Sequence, residues 1–507
     1  MRPSVGVSVG VLLAWSGVVS AGGLDLPDNG SLGMGRGGAV VARASDPSAL
    51  MHNVAGIAGL SGFQLTLSSN YQIFSNCYTR AGVYESNVNT TGTVFEDSTY
   101  NNGTTAYPEQ CKSGPYGTVA PQLLATWRLH PRWALGLGVY GPNATGSRQT
   151  FDDRVTLGGG ALAPSPLRNM IYEKTILLFH VTMAIAWSPV PWLRVGAALQ
   201  PSFASFGTTT MANGSPTSAQ SPATDTRTRI ETSGWFLAGN LGVQVLPSRY
   251  LALGLGVHLT TTAVLTGSAS ATANYYAPMA SRQVHSTYSV DRMTVPFPFQ
   301  ARLGARFVLP RRGRPTLDQP VTNAREGYDP MTDDVFDVEL DGWYEGLSRM
   351  AAIGLENSGR IDIGGTTIPA PARVNITSNF NDVYGVRLGG DYNVLPGRLA
   401  LRAGVSYETA GMSNEFAQIH VGAYQTTSVH GGASLRMGFL TMSVGYAHFF
   451  MADFTADRGQ RSIVSAGGPL EPRMCTATSS GPDACTTNRG TYRASLDILH
   501  LGFNARF

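Results

Sequence analysis

The chain has 507 residues, of which 14% are charged, and its formal net charge of +3 is too small to indicate a nucleic-acid partner. No apolar run of about 18 residues follows the N-terminal region, which excludes a membrane protein built from helices. The 60 Gly, 20 Tyr and 20 Phe suit a chain with two half-apolar surfaces better than a soluble globule.

The first 21 residues have the pattern of a secretory signal peptide. Arg2 supplies the positive charge, residues 5–19 the apolar stretch, and Val19-Ser20-Ala21 the small-residue cleavage site. A transmembrane anchor fits less well, because the stretch is short and rich in Gly. We therefore expect a mature, exported chain that begins at Gly22.

Residues 22–62 are too rich in Gly, Ala, Ser and Asp to form a strand, yet too apolar to be a free linker. Asp46 and Pro47 predict the start of a short helix, with Asp46 as its cap and Pro47 in its first position. This helix should end near Gly56 or Gly59. Because long alternating strands follow, we interpret residues 22–62 as a plug in the mouth of a β-barrel and call them the hatch.

Residues 63–507 alternate between apolar and polar side chains. In residues 297–307 the odd positions are Phe, Phe, Ala, Leu, Ala and Phe, whereas the even ones include Arg302 and Arg306. Residues 119–129 and 177–187 follow the same rule. An apolar face toward lipid and a polar face toward a lumen are typical of a transmembrane β-barrel. A soluble sandwich also alternates, but its strands are usually only about 6 residues long.

Turn signals divide this region into fourteen strands, which predicts an all-β fold, a 14-stranded antiparallel transmembrane barrel over residues 63–507. The predicted strands cover about 63–75, 117–130, 132–142, 171–188, 191–208, 226–246, 249–267, 282–309, 333–353, 372–394, 397–409, 425–437, 439–451 and 490–507. Short and long connections alternate, as they do where short periplasmic turns face longer outside loops. Residues 311–331 break this pattern, because they are long and yet fall on the periplasmic side.

The four cysteines of an exported chain point to disulfide bonds, for which three connectivities are possible. Cys77 with Cys111 and Cys475 with Cys485 is the favoured pairing. Each pair then lies in one predicted outside loop, residues 76–116 and 452–489.

The last strand alternates to the final residue, Phe507. A terminal aromatic residue on such a strand resembles the signal by which outer-membrane barrels are recognised for assembly. We therefore expect the barrel assembly machinery and outer-membrane lipid as partners, and a monomer.

The hatch carries a family resemblance in the run G-x-G-R-G-G-A-x-x-A…D-P-S-A-L-x-x-N-x-A-G-I-A-G-L. This run resembles the N-terminal hatch of the FadL/TodX outer-membrane transporters, which move long-chain fatty acids and other hydrophobic molecules through a 14-stranded barrel. The Asn-Pro-Ala triplet of that family falls on Asn53-Val54-Ala55, without its Pro. The resemblance places Arg36, Asp46, Asn53, Ala55 and Gly56 in the hatch.

The resemblance also implies a passive route. Ligand would enter between the outside loops, reach a lumen site near the N-terminus of the hatch, and leave sideways at a kinked third strand. Gly141-Pro142 lies there, and Pro142 has no N–H to donate to a neighbouring strand. The alternative is that Gly141-Pro142 simply ends the strand.

Several predicted lumen positions are apolar and could contact a hydrophobic ligand. They are Phe74, Tyr140, Leu178, Phe236, Leu496 and Ile498. Packing against the hatch would explain each of them equally well.

Asp337, Glu339 and Asp341 share one face of the predicted ninth strand. A calcium site is the weaker interpretation, because one straight strand would supply all of its ligands. We expect cross-strand ion pairs with Arg302 and Arg306 on the eighth strand instead, and these acids could also hold the hatch through Arg36, Arg43 or Asp46.

We expect no enzyme, cofactor or metal. Gly33 to Gly38 match a dinucleotide-binding motif, but no strand precedes them. The function predicted is passive transport of hydrophobic molecules, most of all long-chain fatty acids, across the bacterial outer membrane. A general porin and an outer-membrane receptor or adhesin are the alternatives, and nothing in the sequence selects one hydrophobic compound.

Overall fold

The computed structural model describes residues 29–81, 109–115, 120–141, 146–149, 151–156, 162–165, 167–168, 170–212, 225–276, 283–363, 366–414, 417, 423–456 and 488–507. The predicted signal peptide, Pro142, Cys475 and Cys485 lie outside these residues. Within them, no helix has the length and apolar character needed to cross a membrane.

Fourteen antiparallel strands, several of them in two pieces, form the wall. They are β1 Phe63–Arg80, β2 Gln110–Pro115 and Ala120–His130, β3 Trp133–Tyr140 and Gly146–Gln149, β4 Glu173–Val190, β5 Leu193–Ala212, β6 Thr226–Ser248, β7 Leu251–Thr260 and Thr262–Ala273, β8 Val284–Pro296 and Gln300–Pro310, β9 Asp334–Glu345 and Ala352–Ser358, β10 Arg373–Thr377 and Val383–Leu395, β11 Leu399–Glu408, β12 Thr426–Met437, β13 Leu440–Met451 and β14 Gly490–Arg506.

Each strand pairs with its neighbours in sequence, and β14 pairs back onto β1 from Gln64 opposite Arg506 to Arg80 opposite Gly490. The sheet is therefore closed, and the predicted 14-stranded barrel is confirmed. Closure pairs the first strand with the last, so that the sheet has no terminal edge strand among the described residues.

Four predicted strands, 249–267, 282–309, 333–353 and 372–394, are interrupted rather than continuous. In β8 the break covers residues 297–299, because Pro296 and Pro298 have no N–H for the ladder. The break also turns the chain, so that Phe297 is buried inside the barrel at 2% exposure. The prediction that Phe297 faces lipid was wrong for this reason.

The outer surface is apolar along the strands, whereas the inner surface carries polar side chains and, toward the loop end, a cluster of apolar ones. Leu303 on β8 is 64% exposed, whereas its neighbour Arg302 is 8% exposed. Aromatic rings form a row at each end of the apolar band. One row includes Trp133, Trp187, Tyr250, Phe307, Phe439 and Phe507, and the other includes Phe179, Phe203, Trp235, Phe299, Tyr344 and Tyr384.

The spacing of the two rows fits a bilayer. Trp187 and Phe179 are eight residues apart on β4, which is roughly 26 Å along the strand and about 20 Å along the barrel axis at a tilt of about 40°. Outer-membrane barrels have an apolar band about 25 Å tall between such rows. We call the barrel end with the short connections the turn end, and the opposite end the loop end.

Residues 311–333 cross the turn end as a strap. The strap leaves β8, and the Ala324 carbonyl accepts a hydrogen bond from the Gly62 amide at the start of β1 (2.8 Å). Asp329 then pairs with Arg436 of β12 and with Arg506 of β14, before helix α2 (Pro330–Asp333) leads into β9. Leu317 packs beneath the hatch with Ala42, Leu246 and Val308. The long segment that broke the predicted loop pattern thus closes the turn end.

Cys77 and Cys111 form a disulfide between paired strands, because they are register partners on β1 and β2. The expectation that Cys77 lies in a loop was wrong, since β1 continues to Arg80. Further short strands outside the barrel wall are Arg154–Thr156 with Leu162–Pro164, Arg360–Ile363 with Thr366–Pro369, and Phe454–Ala456 against β14. A 3₁₀ turn, Leu347–Met350, separates the two pieces of β9.

The hatch contains less regular helix than predicted. It has a 3₁₀ turn at Met34–Arg36, a single α-helical turn (α1) at Ala49–His52 and a 3₁₀ segment at Val54–Gly59. Asp46 does not cap a continuous helix; it accepts hydrogen bonds from the amide and hydroxyl of Ser48. Asn53 is extended (φ −153°) and ends the helical turn.

Candidate functional site

The hatch lies inside the barrel and is almost wholly buried over residues 29–60. Glycines on the wall let its backbone come close: a side chain at Gly389 or Gly404 would lie within 2.2 Å of Arg36 backbone atoms. Gly56 has the same role within the hatch, because a Cβ there would lie 2.3 Å from the Ala44 Cβ.

Asn53 fixes the middle of the hatch. Its side-chain oxygen accepts from the Ala55 amide (3.2 Å), and its nitrogen donates to the carbonyls of Val41 (2.8 Å) and Val243 (3.0 Å). One side chain therefore joins two parts of the hatch to β6.

The acidic face of β9 holds the hatch by its backbone. One carboxyl oxygen of Asp341 accepts from the amides of Val40 (2.9 Å) and Val41 (3.1 Å). One oxygen of Glu339 accepts from the amides of Ala42 (2.6 Å) and Arg43 (3.3 Å). Four consecutive hatch amides are thus satisfied by two wall side chains.

The ion pairs also run to the hatch. Arg36 contacts Asp337 (2.7 Å), Asp391 (2.5 Å) and Glu339 (3.2 Å), and Arg43 pairs with Asp337 and Asp391. Burial alone would lower the pKa of Arg36, but these three carboxylates outweigh burial and raise the pKa above its ordinary value.

The predicted partners of the acids were partly right. Arg306 does pair with Asp337 and also with Asp334. Arg302 instead donates to Nδ1 of His52 in the hatch (2.6 Å) and to Gln300 (3.0 Å). Asp46 bonds within the hatch, as described above.

The barrel wall is incompletely paired between β2 and β3. The two strands pair up to Gln122 opposite Tyr140, where the first piece of β3 ends. Beyond this point the outer piece of β2 pairs with β1, and the outer piece of β3 pairs with β4. Among the described residues, these two outer pieces do not pair with each other.

Asn29, the first described residue of the hatch, lies at this gap. The Asn29 side chain donates to the Gly141 carbonyl (3.0 Å), and its oxygen accepts from Asn70 and Gln122 on β1 and β2. His52 contacts the Asn29 carbonyl (2.6 Å), which links the gap to the helical turn of the hatch. The sequence offered no signal for Asn29, since it lies in no motif.

The six predicted lumen residues are all buried inside the barrel. Five of them, Phe74, Leu178, Phe236, Leu496 and Ile498, belong to one apolar cluster at the loop end. Tyr140 belongs instead to a cluster with hatch residues Leu50 and Ile57, and its hydroxyl accepts from Gln200 (2.7 Å). Hatch packing therefore accounts for Tyr140.

A cleft opens in the lumen next to the helical turn of the hatch. Its apolar wall is formed by Leu178, Phe236, Phe297 and Pro298, and the rings of Phe236 and Phe297 stack with centroids 4.6 Å apart. Its polar lining is His180, His258, Thr260 and Gln300. The break in β8 supplies Phe297 and Pro298. The sequence feature that could have indicated this break is the pair Pro296 and Pro298.

The two histidines connect the cleft to the hatch. His258 is hydrogen-bonded with the Asn240 side chain (2.6 Å), which in turn donates to the Leu50 carbonyl (2.9 Å). His180 is hydrogen-bonded with Ser202 (2.6 Å), and its ring lies 5.5 Å from that of His258. The cleft is thus a mainly apolar site with neutral hydrogen-bond partners around it.

Comparison with known proteins gives a family. A family model described as outer membrane protein transport protein (OMPP1/FadL/TodX) matches residues 12–474. No curated protein sequence matches the chain.

Solved structures share the fold. A FadL homologue from Pseudomonas aeruginosa is 16% identical with a TM-score of 0.63, and the match covers 95% of this chain and 99% of that one. The toluene transporters TodX of P. putida (14% identity, TM-score 0.59) and TbuX of Ralstonia pickettii (15%, 0.55) match over the same shares, 95% and 99%.

Proposed function

The chain belongs to the OMPP1/FadL/TodX family of outer-membrane transport proteins, and from this premise we propose that its ligand is a long-chain fatty acid that leaves sideways through the wall. The family carries hydrophobic small molecules through its barrel. The chain is accordingly an outer-membrane transport channel.

The cleft beside the hatch carries the proposal. An alkyl chain placed against Leu178, Phe236 and Phe297 would gain about 25 cal/mol for each Å² of apolar surface removed from water. The Arg302 guanidinium donates to Gln300 at the edge of the cleft (3.0 Å). It could therefore interact with the carboxylate of an acidic ligand.

The gap between β2 and β3 supports a sideways exit. Ligand in the lumen faces the hatch and the strap on the turn-end side, whereas the described residues of β2 and β3 show no hydrogen-bonded pairing with each other beyond Tyr140. The hatch filling the lumen also disfavours a general porin. The receptor alternative depends on loops 76–116 and 452–489, which lie mostly outside the described residues.

A small neutral aromatic compound is the second candidate. The stacked rings of Phe236 and Phe297 offer aromatic contacts, and the nearby histidines bond with the neutral groups of Ser202 and Asn240. An uncharged ligand would need no cation at this site.

The test is binding to the purified protein. We expect mass spectrometry of protein extracted in a non-ionic detergent to find a bound fatty acid, and labelled palmitate to bind with an affinity reduced about tenfold by Phe236→Ala. Leu237→Ala, which removes the outward-facing neighbour (45% exposed), is the matched control and should bind like the wild type. Binding of toluene but not palmitate would favour the second candidate, and binding of neither would contradict both.

Recognition by the assembly machinery through Phe507, a monomeric state, a hatch domain spanning residues 22–62 and a signal peptide over residues 1–21 remain predictions.

A further inference from the structure

The hatch and the strap enclose a polar chamber at the turn end, on the side of the hatch away from the lumen cleft. Hatch residues 43–45 and 59–61 form its inner boundary, and strap residues 328–330 form its outer one. A second cavity continues it toward β11–β14 and shares Arg43, Asp329 and Arg506 with it. The charges lining this chamber are not balanced.

Three of the four arginines that line the chamber have carboxylate partners. Arg43 pairs with Asp337 and Asp391, Arg306 with Asp334 and Asp337, and Arg506 with Asp329 (3.1 Å). The fourth, Arg194 of β5, is only 9% exposed and donates from Nη1 to the neutral side chain of Gln244 (2.8 Å). It forms no ion pair with any described residue.

A second arginine without a carboxylate lies next to this site. Arg128 of β2 is 3% exposed and donates only to backbone carbonyls, those of Ala58 (2.5 Å) and Glu326 (3.3 Å). Its Nε has no hydrogen-bond partner among the described residues. Two buried guanidinium groups thus stand at the same point of the hatch without a counter-charge.

The hatch leaves room for both groups. Arg128 contacts the carbonyl of Ala58, and a side chain at the next residue, Gly59, would lie 2.3 Å from Nη1 of Arg194. Burying a charge without a partner is costly, so such groups are expected to meet an ion of opposite sign. The planar guanidinium fork suits the two oxygens of a carboxylate or phosphate.

We propose that Arg194, supported by Arg128, binds an oxyanion, a carboxylate or phosphate group, in the chamber between the hatch and the strap. The group could belong to an acidic amphiphile or to a small anion from the periplasm. The site is separate from the lumen cleft, so it does not depend on which compound the cleft takes.

The test uses the full mature chain in a non-ionic detergent at constant ionic strength. Sodium phosphate or sodium octanoate should raise the unfolding temperature of the wild type by a few degrees above the value in sodium chloride, whereas octanol should not. Arg194→Gln should weaken the binding at least tenfold. Arg132→Gln, which changes an exposed arginine in the β2–β3 turn, is the matched control and should keep it.

Comparing phosphate with octanoate distinguishes a small anion from the headgroup of an acidic amphiphile as the bound group. Equal effects of phosphate and octanoate indicate a small-anion site, and an effect of octanoate alone that Arg194→Gln abolishes indicates the headgroup of an acidic amphiphile. No shift with either anion relative to chloride would overturn the proposal, as would a shift that persists in Arg194→Gln. A phosphate shift of the wild type supports the proposal even if the variants do not assemble, because phosphate has no alkyl chain that the lumen cleft could bind, and its absence together with an octanoate shift that persists in Arg194→Gln would assign octanoate to the cleft.

A second variant separates ligand binding from structural support. Without an oxyanion, Arg194→Met should be at least as stable as the wild type, because it removes an uncompensated buried charge. It should also lose the response to octanoate and phosphate. A variant that is less stable in chloride but responds fully to both anions would show that Arg194 only supports Gln244.

Discussion

Asp341 and Glu339 bind the hatch through the main-chain amides of residues 40–43, in addition to the ion pairs that the Arg43 side chain forms with Asp337 and Asp391. The amides are buried, so that losing their acceptors leaves N–H groups without partners at about 1–3 kcal/mol each. These two residues, more than any apolar contact, should keep this part of the hatch against β9.

Asp341→Ala should loosen the hatch while leaving the barrel assembled. The two amides of Val40 and Val41 lose their shared acceptor, and we expect liposomes containing this variant to swell several-fold faster in small sugars. Deletion of residues 22–59 gives the upper limit of swelling, and Glu326→Ala, which removes an exposed strap carboxylate, is the control. A swelling rate equal to that of the wild type would show that Asp341 does not hold the hatch.

At the scale of residues, the acidic acceptors could be predicted, whereas the sequence left open which of the arginines on the eighth strand and in the hatch would pair with them. Alternation alone placed Asp337, Glu339 and Asp341 on one lumen face. Their choice of Arg36 and Arg43 over Arg302 depends on how an irregular segment folds inside the barrel, and strand periodicity carries no information about that path.

The strap is the element that joins the most distant strands of the turn end. Asp329 anchors it, since this residue accepts from the Met331 amide at the start of α2 and pairs with Arg436 and Arg506. Burial alone would raise the pKa of Asp329, but Arg506 and Arg436 outweigh burial and hold the pKa below its ordinary value of 3.8.

This pKa shift predicts how the anchor depends on pH. A carboxyl group whose pKa is lower in the folded state stabilises the fold above its unfolded pKa, and the stabilisation disappears as the pH falls through the folded pKa. The difference in unfolding temperature between wild type and Asp329→Asn should therefore be constant from about pH 8 to pH 5 and shrink only below about pH 4. Thermal unfolding at half-unit pH steps measures it. A difference that already shrinks between pH 7 and pH 5 would rule out the ion pairs as its source.

The number and order of strands could be predicted, whereas their interruptions could not, apart from the proline pair in β8. The alternation of apolar and polar residues indicates which face of the sheet a side chain occupies. It does not indicate whether the neighbouring strand forms hydrogen bonds at that residue. The strap escaped prediction because its sequence is polar, and its few buried residues, Leu317 among them, contact partners far away in the chain.

In the part of the chain that the structure describes, the strap covers the turn end, and β2 and β3 do not pair with each other near the loop end. The gap begins where Tyr140 pairs with His180. The residue before His180 is Phe179, which belongs to the aromatic row nearer the loop end. A ligand leaving there would meet the outer part of the apolar band. The hatch and the strap both lie across the axial route to the periplasm. Sideways release therefore takes the ligand from the lumen into the membrane without passing either of them.

Uptake through a repaired wall tests this account most directly. Gly141-Pro142 should be replaced by Val-Thr, which supplies the missing donor and favours an extended strand. The same change at Gly481-Pro482 serves as the matched control. We predict that uptake of labelled palmitate by cells falls at least tenfold in the first variant and is unchanged in the control, while palmitate binding to both purified proteins stays at the wild-type level. Wild-type uptake by the Gly141-Pro142 variant would contradict the sideways exit and favour an axial route past the hatch.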